Sequence, residues 1–158
     1  MQHFLFLALA LECAVNASAQ PDFPSHSLSV NGFRNPSIGL EYQYRNVSVH
    51  GGYYLTNFES GVTTEFLKTG ATWWLLPIGK KEIPSSFYLG ANYLYGLTRD
   101  YKHTHALGLE AGFRWYIWLG LNFRIGVIAL ASKDQSLKIN PTPAISYTFK
   151  LKHSSYEN

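Results

Sequence analysis

The chain has 158 residues, enough for one domain with a sizeable core, and its formal net charge is only +3. Hydrophobic residues make up 46% of it, aromatic residues 16% and charged residues 15%, whereas about 25% charged is usual for a soluble domain. This composition argues against a nucleic-acid-binding protein, because no basic run alternates with stacking aromatic side chains.

Residues 1–19 have the features of a signal peptide. A short apolar core spans Phe4 to Leu11, and Ala17-Ser18-Ala19 supplies the small residues that a signal peptidase requires. The apolar run is too short to cross a bilayer as a helix, which takes about 20 residues. We therefore expect cleavage before Gln20 and one domain over residues 20–158. The alternative is an N-terminal helix packed on that domain.

From residue 27 onward, apolar and polar residues alternate with a period of two, which predicts β-strands. Clusters of Gly, Pro, Asn and charged residues interrupt the alternation and mark the connections. Eight strands are predicted, over residues 27–32, 37–44, 47–55, 62–76, 86–97, 106–117, 121–131 and 144–152.

The first clear hairpin is predicted over residues 37–55, SIGLEYQYRNVSVHGGYYL. A two-residue turn at Arg45-Asn46 keeps every cross-strand pair on one face of the sheet, as a correct register must. The resulting pairs are Tyr44 with Val47, Tyr42 with Val49 and Leu40 with Gly51 on the apolar face, and Glu41 with His50 on the polar face.

A second hairpin is predicted around residues 113–127, FRWYIWLGLNFRIGV. A two-residue turn would pair Trp115 with Arg124 and mix the faces. A three-residue turn, Trp118-Leu119-Gly120, avoids this, and Gly120 occupies the last position, where a left-handed backbone is common. The expected pairs are Ile117 with Leu121, Trp115 with Phe123, Phe113 with Ile125 and, on the polar face, Arg114 with Arg124.

The connections alternate between two kinds, which favours a membrane barrel with tight turns on one rim and longer loops on the other. Short connections are expected at Arg45-Asn46, Pro77 to Ser85 and Trp118 to Gly120, and polar ones at Arg34 to Pro36, Thr56 to Gly61, Thr98 to Thr104 and Ser132 to Pro141. The fold class is thus an all-β, eight-stranded antiparallel up-and-down transmembrane β-barrel.

The composition of the polar face indicates whether that face lines the interior of the barrel or its outer surface. In a soluble lipocalin-like barrel, the alternative, the apolar face lines a ligand cavity and the polar face meets water. Here the polar face is rich in glycine, which suits the crowded interior of a narrow barrel. An aromatic girdle, the mark of a membrane interface, is expected on the outer face near the short turns: Tyr42, Tyr44, Trp73 and Trp115.

The segments SIGLEYQYRNVSVHGGYYL and FYLGANYLYGL carry a pattern that resembles the small eight-stranded outer-membrane β-barrels of the OmpA and OmpX type, in particular the compact barrels of Bacteroidota. The resemblance covers about residues 27–152. It implies a location in the cell outer membrane and a structural or surface-interaction role without catalysis. It also implies a monomer whose partners are outer-membrane lipid, lipopolysaccharide and the barrel assembly machinery.

The inward face is expected to hold a polar network that fills the lumen. Its members are Glu41, His50, Lys68, Glu110, Arg114, Arg124 and Lys150. Because two arginines directly opposite repel each other, we expect a carboxylate, Glu110 or Glu41, between Arg114 and Arg124. A small gated pore is the alternative to a closed lumen, although eight strands are too few for an open aqueous channel.

One group of residues is a candidate catalytic site, the alternative to a structural role. Ser48, His50 and Glu41 have the residue types of a nucleophile, a base and an orienting carboxylate, as in a lipid A acyl hydrolase-like enzyme. Residues at i and i+2 stand about 6–7 Å apart along a strand, however, too far for a hydrogen bond. His103 and His105 make an incomplete zinc set, so no metal, catalytic or cofactor site is predicted.

Overall fold

The computed structural model describes residues 22–33, 35, 37–56, 63–98, 101–133 and 136–151. The predicted signal peptide lies outside these residues. Nine strands are present: β1 (Ser27–Phe33), β2 (Ile38–Tyr44), β3 (Val47–Thr56), β4 (Thr64–Ile78), β5 (Ser85–Gly96), β6 (His105–Trp118), β7 (Leu121–Ser132), β8 (Lys138–Pro141) and β9 (Ala144–Lys150). The prediction of an all-β chain is confirmed.

The strands form one sheet that closes on itself. From β1 to β7, each strand pairs antiparallel with the next in the chain. The last strand, β9, pairs with β1 from Ser27↔Lys150 to Phe33↔Ala144, and its other edge pairs with β7. Closure leaves neither β1 nor β9 as a free edge along this join.

Two short strands together occupy the eighth position of the barrel wall. β9 pairs with β7 from Leu121 to Arg124, and β8 pairs with β7 from Val127 to Leu130, in one continuous register. Between them the Thr142 N–H donates to the Gly126 carbonyl oxygen at 2.8 Å. The fold is therefore a closed eight-stranded antiparallel barrel, and the expected loop over 132–141 is wrong for residues 138–141.

The hairpin registers test the predicted pairing. In the first hairpin every predicted pair is confirmed, from Tyr44↔Val47 to Glu41↔His50. In the second, Trp115↔Phe123 and Arg114↔Arg124 are confirmed.

The turn of the second hairpin differs from the prediction. β6 continues to Trp118, which pairs with Leu121, so Leu119 and Gly120 alone make the connection. A register shift between Tyr116 and Trp118 leaves Ile117 without the expected partner, Leu121. This bulge absorbs one extra residue and keeps the faces of the remaining pairs. Gly120 has a φ of 83°, the left-handed backbone expected there.

The polarity of the barrel is inverted relative to a soluble domain. Large apolar side chains are exposed on each of the nine strands, and Leu109 at 70% and Leu107 at 65% are among the most exposed. The buried side chains include Arg114 and Asn122, both 0% exposed, and Glu41 at 1%. The predicted assignment of the polar face to the interior is confirmed for these positions.

Glycine makes room for the large side chains inside. Gly112 and Gly126 are cross-strand neighbours on the inward face of β6 and β7. A Cβ on either glycine would come within 2.7 Å of the Tyr88 hydroxyl, closer than real Cβ atoms approach. The tyrosine side chain of β5 thus occupies space that these two glycines leave free.

We expect Gly126→Ala to lower the free energy of unfolding by about 1–3 kcal/mol, the usual cost of overpacking. Gly51→Ala is the matched control, because a Cβ there faces outward and meets one described atom, the Lys68 carbonyl oxygen, at 3.9 Å. Urea unfolding followed by tryptophan fluorescence measures both variants. Equal losses from the two would contradict a tightly packed interior.

Candidate functional site

Six of the seven side chains expected in the lumen lie on the inward face. Glu41, Lys68, Glu110, Arg114 and Arg124 are buried, and His50 is partly buried. Lys150 is the exception and corrects the prediction. The period-two alternation of β9 assigns Lys150 to the inward face. It is the last residue of β9, however, and its side chain is exposed at the short-turn rim, where it pairs with Glu82.

The first ion pair of the lumen joins Lys68 of β4 to Glu110 of β6. The Lys68 Nζ lies 2.8 Å from Glu110 Oε2, and both side chains are less than 10% exposed. Asn35 bridges the pair, since it donates to Glu110 Oε1 at 2.7 Å and accepts from Lys68 Nζ at 2.7 Å. Tyr88 adds a hydrogen bond to Glu110 Oε1 at 3.0 Å. A buried ion pair requires such satisfaction of its remaining donors and acceptors.

Asn35 comes from the connection between β1 and β2, and no sequence signal assigned it to the lumen. It is only 4% exposed. The backbone of Phe33 just before it has a φ of 83°, an uncommon left-handed conformation for an aromatic residue. Asn35 itself contacts both members of the Lys68–Glu110 pair.

The second ion pair joins Arg124 of β7 to Glu41 of β2 on the other side of the barrel. Arg124 Nη2 donates to Glu41 Oε2, and the carboxylate also accepts from the Ser48 hydroxyl at 2.5 Å. Glu41 is thus one of the two carboxylates expected near the arginine pair. It contacts only one of the two arginines.

Arg114 has no carboxylate partner among the described residues. Its guanidinium carbon lies 3.5 Å from the centre of the Trp74 indole, and Nη1 donates to Gln43 Oε1 at 2.9 Å. The guanidinium of Arg124 lies over the same indole at 4.9 Å. The expected carboxylate between the two arginines is therefore replaced by an aromatic ring, whose π face attracts both cations.

Sequence reasoning missed Trp74, although a usable signal was present. Lys68 was assigned inward, and residues 70, 72 and 74 share its face in a strand. Trp74 is 1% exposed and donates its indole N–H to the Ser48 hydroxyl at 2.9 Å. The neighbouring Trp73, 53% exposed, was correctly placed on the outer face.

The constellation of Ser48, His50 and Glu41 does not form a nucleophile–base relay. Ser48 donates to Glu41 and accepts from Trp74, whereas the ring of His50 contacts the Asn92 amide oxygen at 2.7 Å and the Thr72 hydroxyl at 3.4 Å. Ser48 is also 1% exposed. The serine contacts Glu41 and Trp74 rather than His50, and it is buried in the packed interior.

An apolar cluster fills the lumen at the long-loop end. Its members are buried, and they come from the ends of the strands and from the β5–β6 connection: Tyr54, Phe66, Leu94, Tyr101, Ala106, Ile128 and Leu130. Phe66, Leu94, Ile128 and Leu130 are each 0% exposed. The ionic network is therefore covered on this side by tightly packed apolar side chains.

The girdle residues Tyr42, Tyr44, Trp73 and Trp115 are all on the outer face and 40–57% exposed. At the opposite rim, His103 contacts the Tyr95 hydroxyl at 2.5 Å, and His105 contacts the Tyr93 hydroxyl. Each histidine thus pairs with a tyrosine. In the part of the chain that the structure describes, no group of three or more His, Cys, Asp or Glu side chains is placed to hold a metal ion.

No protein-family model, curated protein or solved structure matches the chain. Within the described ranges, no helix is long and apolar enough to cross a membrane.

We expect Lys68→Met to lower the free energy of unfolding by about 3–5 kcal/mol, because it leaves Glu110 buried without its cation. The double variant Lys68→Met/Glu110→Gln should recover part of this loss. Lys150→Met is the control: it removes an exposed ion pair, and such pairs contribute less than about 1 kcal/mol. Similar losses of unfolding free energy for Lys68→Met and Lys150→Met would show that the buried pair contributes no more to stability than the exposed pair.

Proposed function

We propose that this protein is an outer-membrane β-barrel with a closed polar lumen and a structural or surface-interaction role without catalysis. The proposal includes secretion with a cleaved signal peptide and membership of the small barrels of the OmpA and OmpX type. Its partners are then outer-membrane lipid and lipopolysaccharide, with insertion by the barrel assembly machinery.

The observation that carries the proposal is the inverted polarity of the wall. Soluble monomers rarely expose a contiguous apolar patch of more than a few hundred Å². Here the apolar side chains continue around the barrel on every strand, and the polar and charged groups are buried inside. A closed barrel satisfies its backbone hydrogen bonds within the wall, which is the condition for a strand structure to enter hydrocarbon.

The same inversion speaks against a soluble lipocalin-like carrier. Such a barrel directs its apolar face toward a ligand in the cavity. In this barrel the cavity positions hold ion pairs such as Lys68–Glu110 and an apolar cluster that includes Phe66 and Leu94. The interior has the composition of a packed plug, and an apolar ligand would have to displace buried charges.

The ends of the barrel favour one orientation. The short connections at 45–46 and 119–120, the start of β1 and the end of β9 lie at one rim, where the girdle residues also lie. Small outer-membrane barrels place short turns in the periplasm and longer loops outside. The rim with the long connections is then the surface that meets lipopolysaccharide and external partners.

A substitution on the outer wall tests whether it faces lipid. We expect Leu109→Arg to lower the stability of the protein folded in lipid bilayers by about 2–4 kcal/mol, the cost of an arginine near the bilayer midplane. Leu137→Arg is the matched control. Leu137 is similarly exposed, 66% against 70%, but it lies in the connection before β8 at the long-loop rim.

If the wall faced water, Leu109→Arg would leave stability unchanged or improve solubility, as Leu137→Arg does. Cell fractionation gives an independent readout, because recovery of the protein in the soluble periplasm would overturn the membrane assignment.

The packed lumen predicts that the barrel does not conduct ions. Planar-bilayer recordings of the wild type should show no unitary current steps. Phe66→Ala should also remain silent, because the ionic network below the apolar cluster still fills the lumen. Reproducible current steps from the wild type would favour the gated pore instead.

A further inference from the structure

The short-turn half of the lumen contains more hydrogen-bond donors than its acceptors satisfy. Arg114 Nε and Nη2 and Arg124 Nε have no acceptor within the described protein. Guanidinium groups only donate, so no rearrangement of their own atoms can remove this surplus. Other inward groups of the same half also lack a described partner: the hydroxyls of Ser27, Ser86 and Ser146 and one acceptor, the Asn122 amide oxygen.

The lumen also contains more positive than negative charge. Among the described residues, the buried charged side chains are three cations, Lys68, Arg114 and Arg124, and two carboxylates, Glu41 and Glu110. Each carboxylate belongs to one ion pair. One positive charge therefore remains, and Arg114, which is 0% exposed, carries it. A buried charge without a counter-charge is costly.

Three of the residues with unsatisfied groups lie in one row across three strands. Ser86 of β5 is the cross-strand partner of Arg114 on β6, and Arg114 is the partner of Arg124 on β7. Directly opposed side chains on one face of a sheet have Cβ atoms about 5 Å apart. We call Ser86, Arg114 and Arg124 the arginine row. Its three side chains start from adjacent positions on the inward face.

The neighbours of Arg114 leave its free edge unoccupied by protein acceptors. Trp74 covers one face of the guanidinium at 3.5 Å, and Gln43 takes Nη1 at 2.9 Å. The two nitrogens without a partner, Nε and Nη2, form one edge of the guanidinium group. A monoatomic anion accepts from two guanidinium nitrogens and a hydroxyl at once, and it needs little space.

This half of the lumen borders an open space at the short-turn rim. A cavity of about 630 Å³ opens at the short-turn rim, and Tyr116 and Thr148 of the barrel floor are part of its lining. The Tyr116 ring lies 5.0 Å from the Arg114 guanidinium, on the next inward position of β6. Lys81, Lys150 and Glu82 also line the cavity, and Glu82 pairs with Lys150, so the lining holds one more cation than carboxylate.

We propose that the arginine row binds one small monovalent anion, of the size of chloride, beside Arg114. The anion supplies the missing negative charge and accepts from the free nitrogens. This inference depends on the interior of the barrel and not on the proposed membrane location, so the two can fail separately.

Thermal unfolding of the folded wild-type protein at constant ionic strength tests the proposal. Chloride replaces gluconate, which is too large for the row. A ligand bound only by the folded state raises its stability with concentration, so we expect the unfolding midpoint to rise by roughly 5 °C between about 3 mM and about 300 mM chloride. No rise on exchange of gluconate for chloride would overturn the proposal.

Variants locate the effect. Arg114→Met removes the uncompensated charge, and its unfolding midpoint should no longer depend on chloride. Lys150→Met removes an exposed cation at the cavity mouth and should retain most of the dependence. A chloride response that persists in Arg114→Met would place the anion elsewhere and overturn the assignment.

Crystals of the wild type in bromide give a direct measurement that does not depend on any variant folding. The expected result is an anomalous peak in contact with Arg114 Nε or Nη2. Bromide peaks only at the protein surface, with ordered water beside Arg114, would show that water and not an anion satisfies the row.

Discussion

The pairing of β1 with β9 is the contact on which the rest of the structure depends. It converts a long antiparallel sheet into a closed wall, so that one face of every strand is forced into a narrow interior. Eight strands leave space there for side chains and little else. Inward polar groups therefore find their partners on other strands of the barrel, as Glu41 of β2 does in Arg124 of β7. Closure of the sheet thus determines both how the inward side chains pack and which charges can pair.

Much of this arrangement could be predicted from the sequence, because a period of two assigns each residue to one face. The first hairpin register followed from requiring Glu41 and His50 to share a face, and the placement of Arg114 and Arg124 followed from the same rule. Glycine on the inward face indicated which side was crowded. These inferences are local, and they depend on neighbours within a hairpin.

The contacts across the lumen could not be predicted, because alternation assigns a side chain to a face but does not identify its partner. Glu41 and Glu110 were both candidates to lie between the arginines. The structure assigns one to Arg124 and the other to Lys68, and Trp74 takes the position beside Arg114. Asn35 entered the interior from a connection that had been expected to be a polar loop. Lys150 followed the alternation but is the last residue of β9, and its side chain is exposed at the short-turn rim.

The interruption of the last strand at Thr142 has a consequence for association between molecules. Thr142 directs its N–H toward β7, so the neighbouring positions 141 and 143 direct theirs away from β7. That side of β8 lies beyond the end of β1 and has no strand partner among the described residues. Both positions are proline, which has no N–H to offer. The stretch around Thr142 is thus a poor template for a strand of a second molecule.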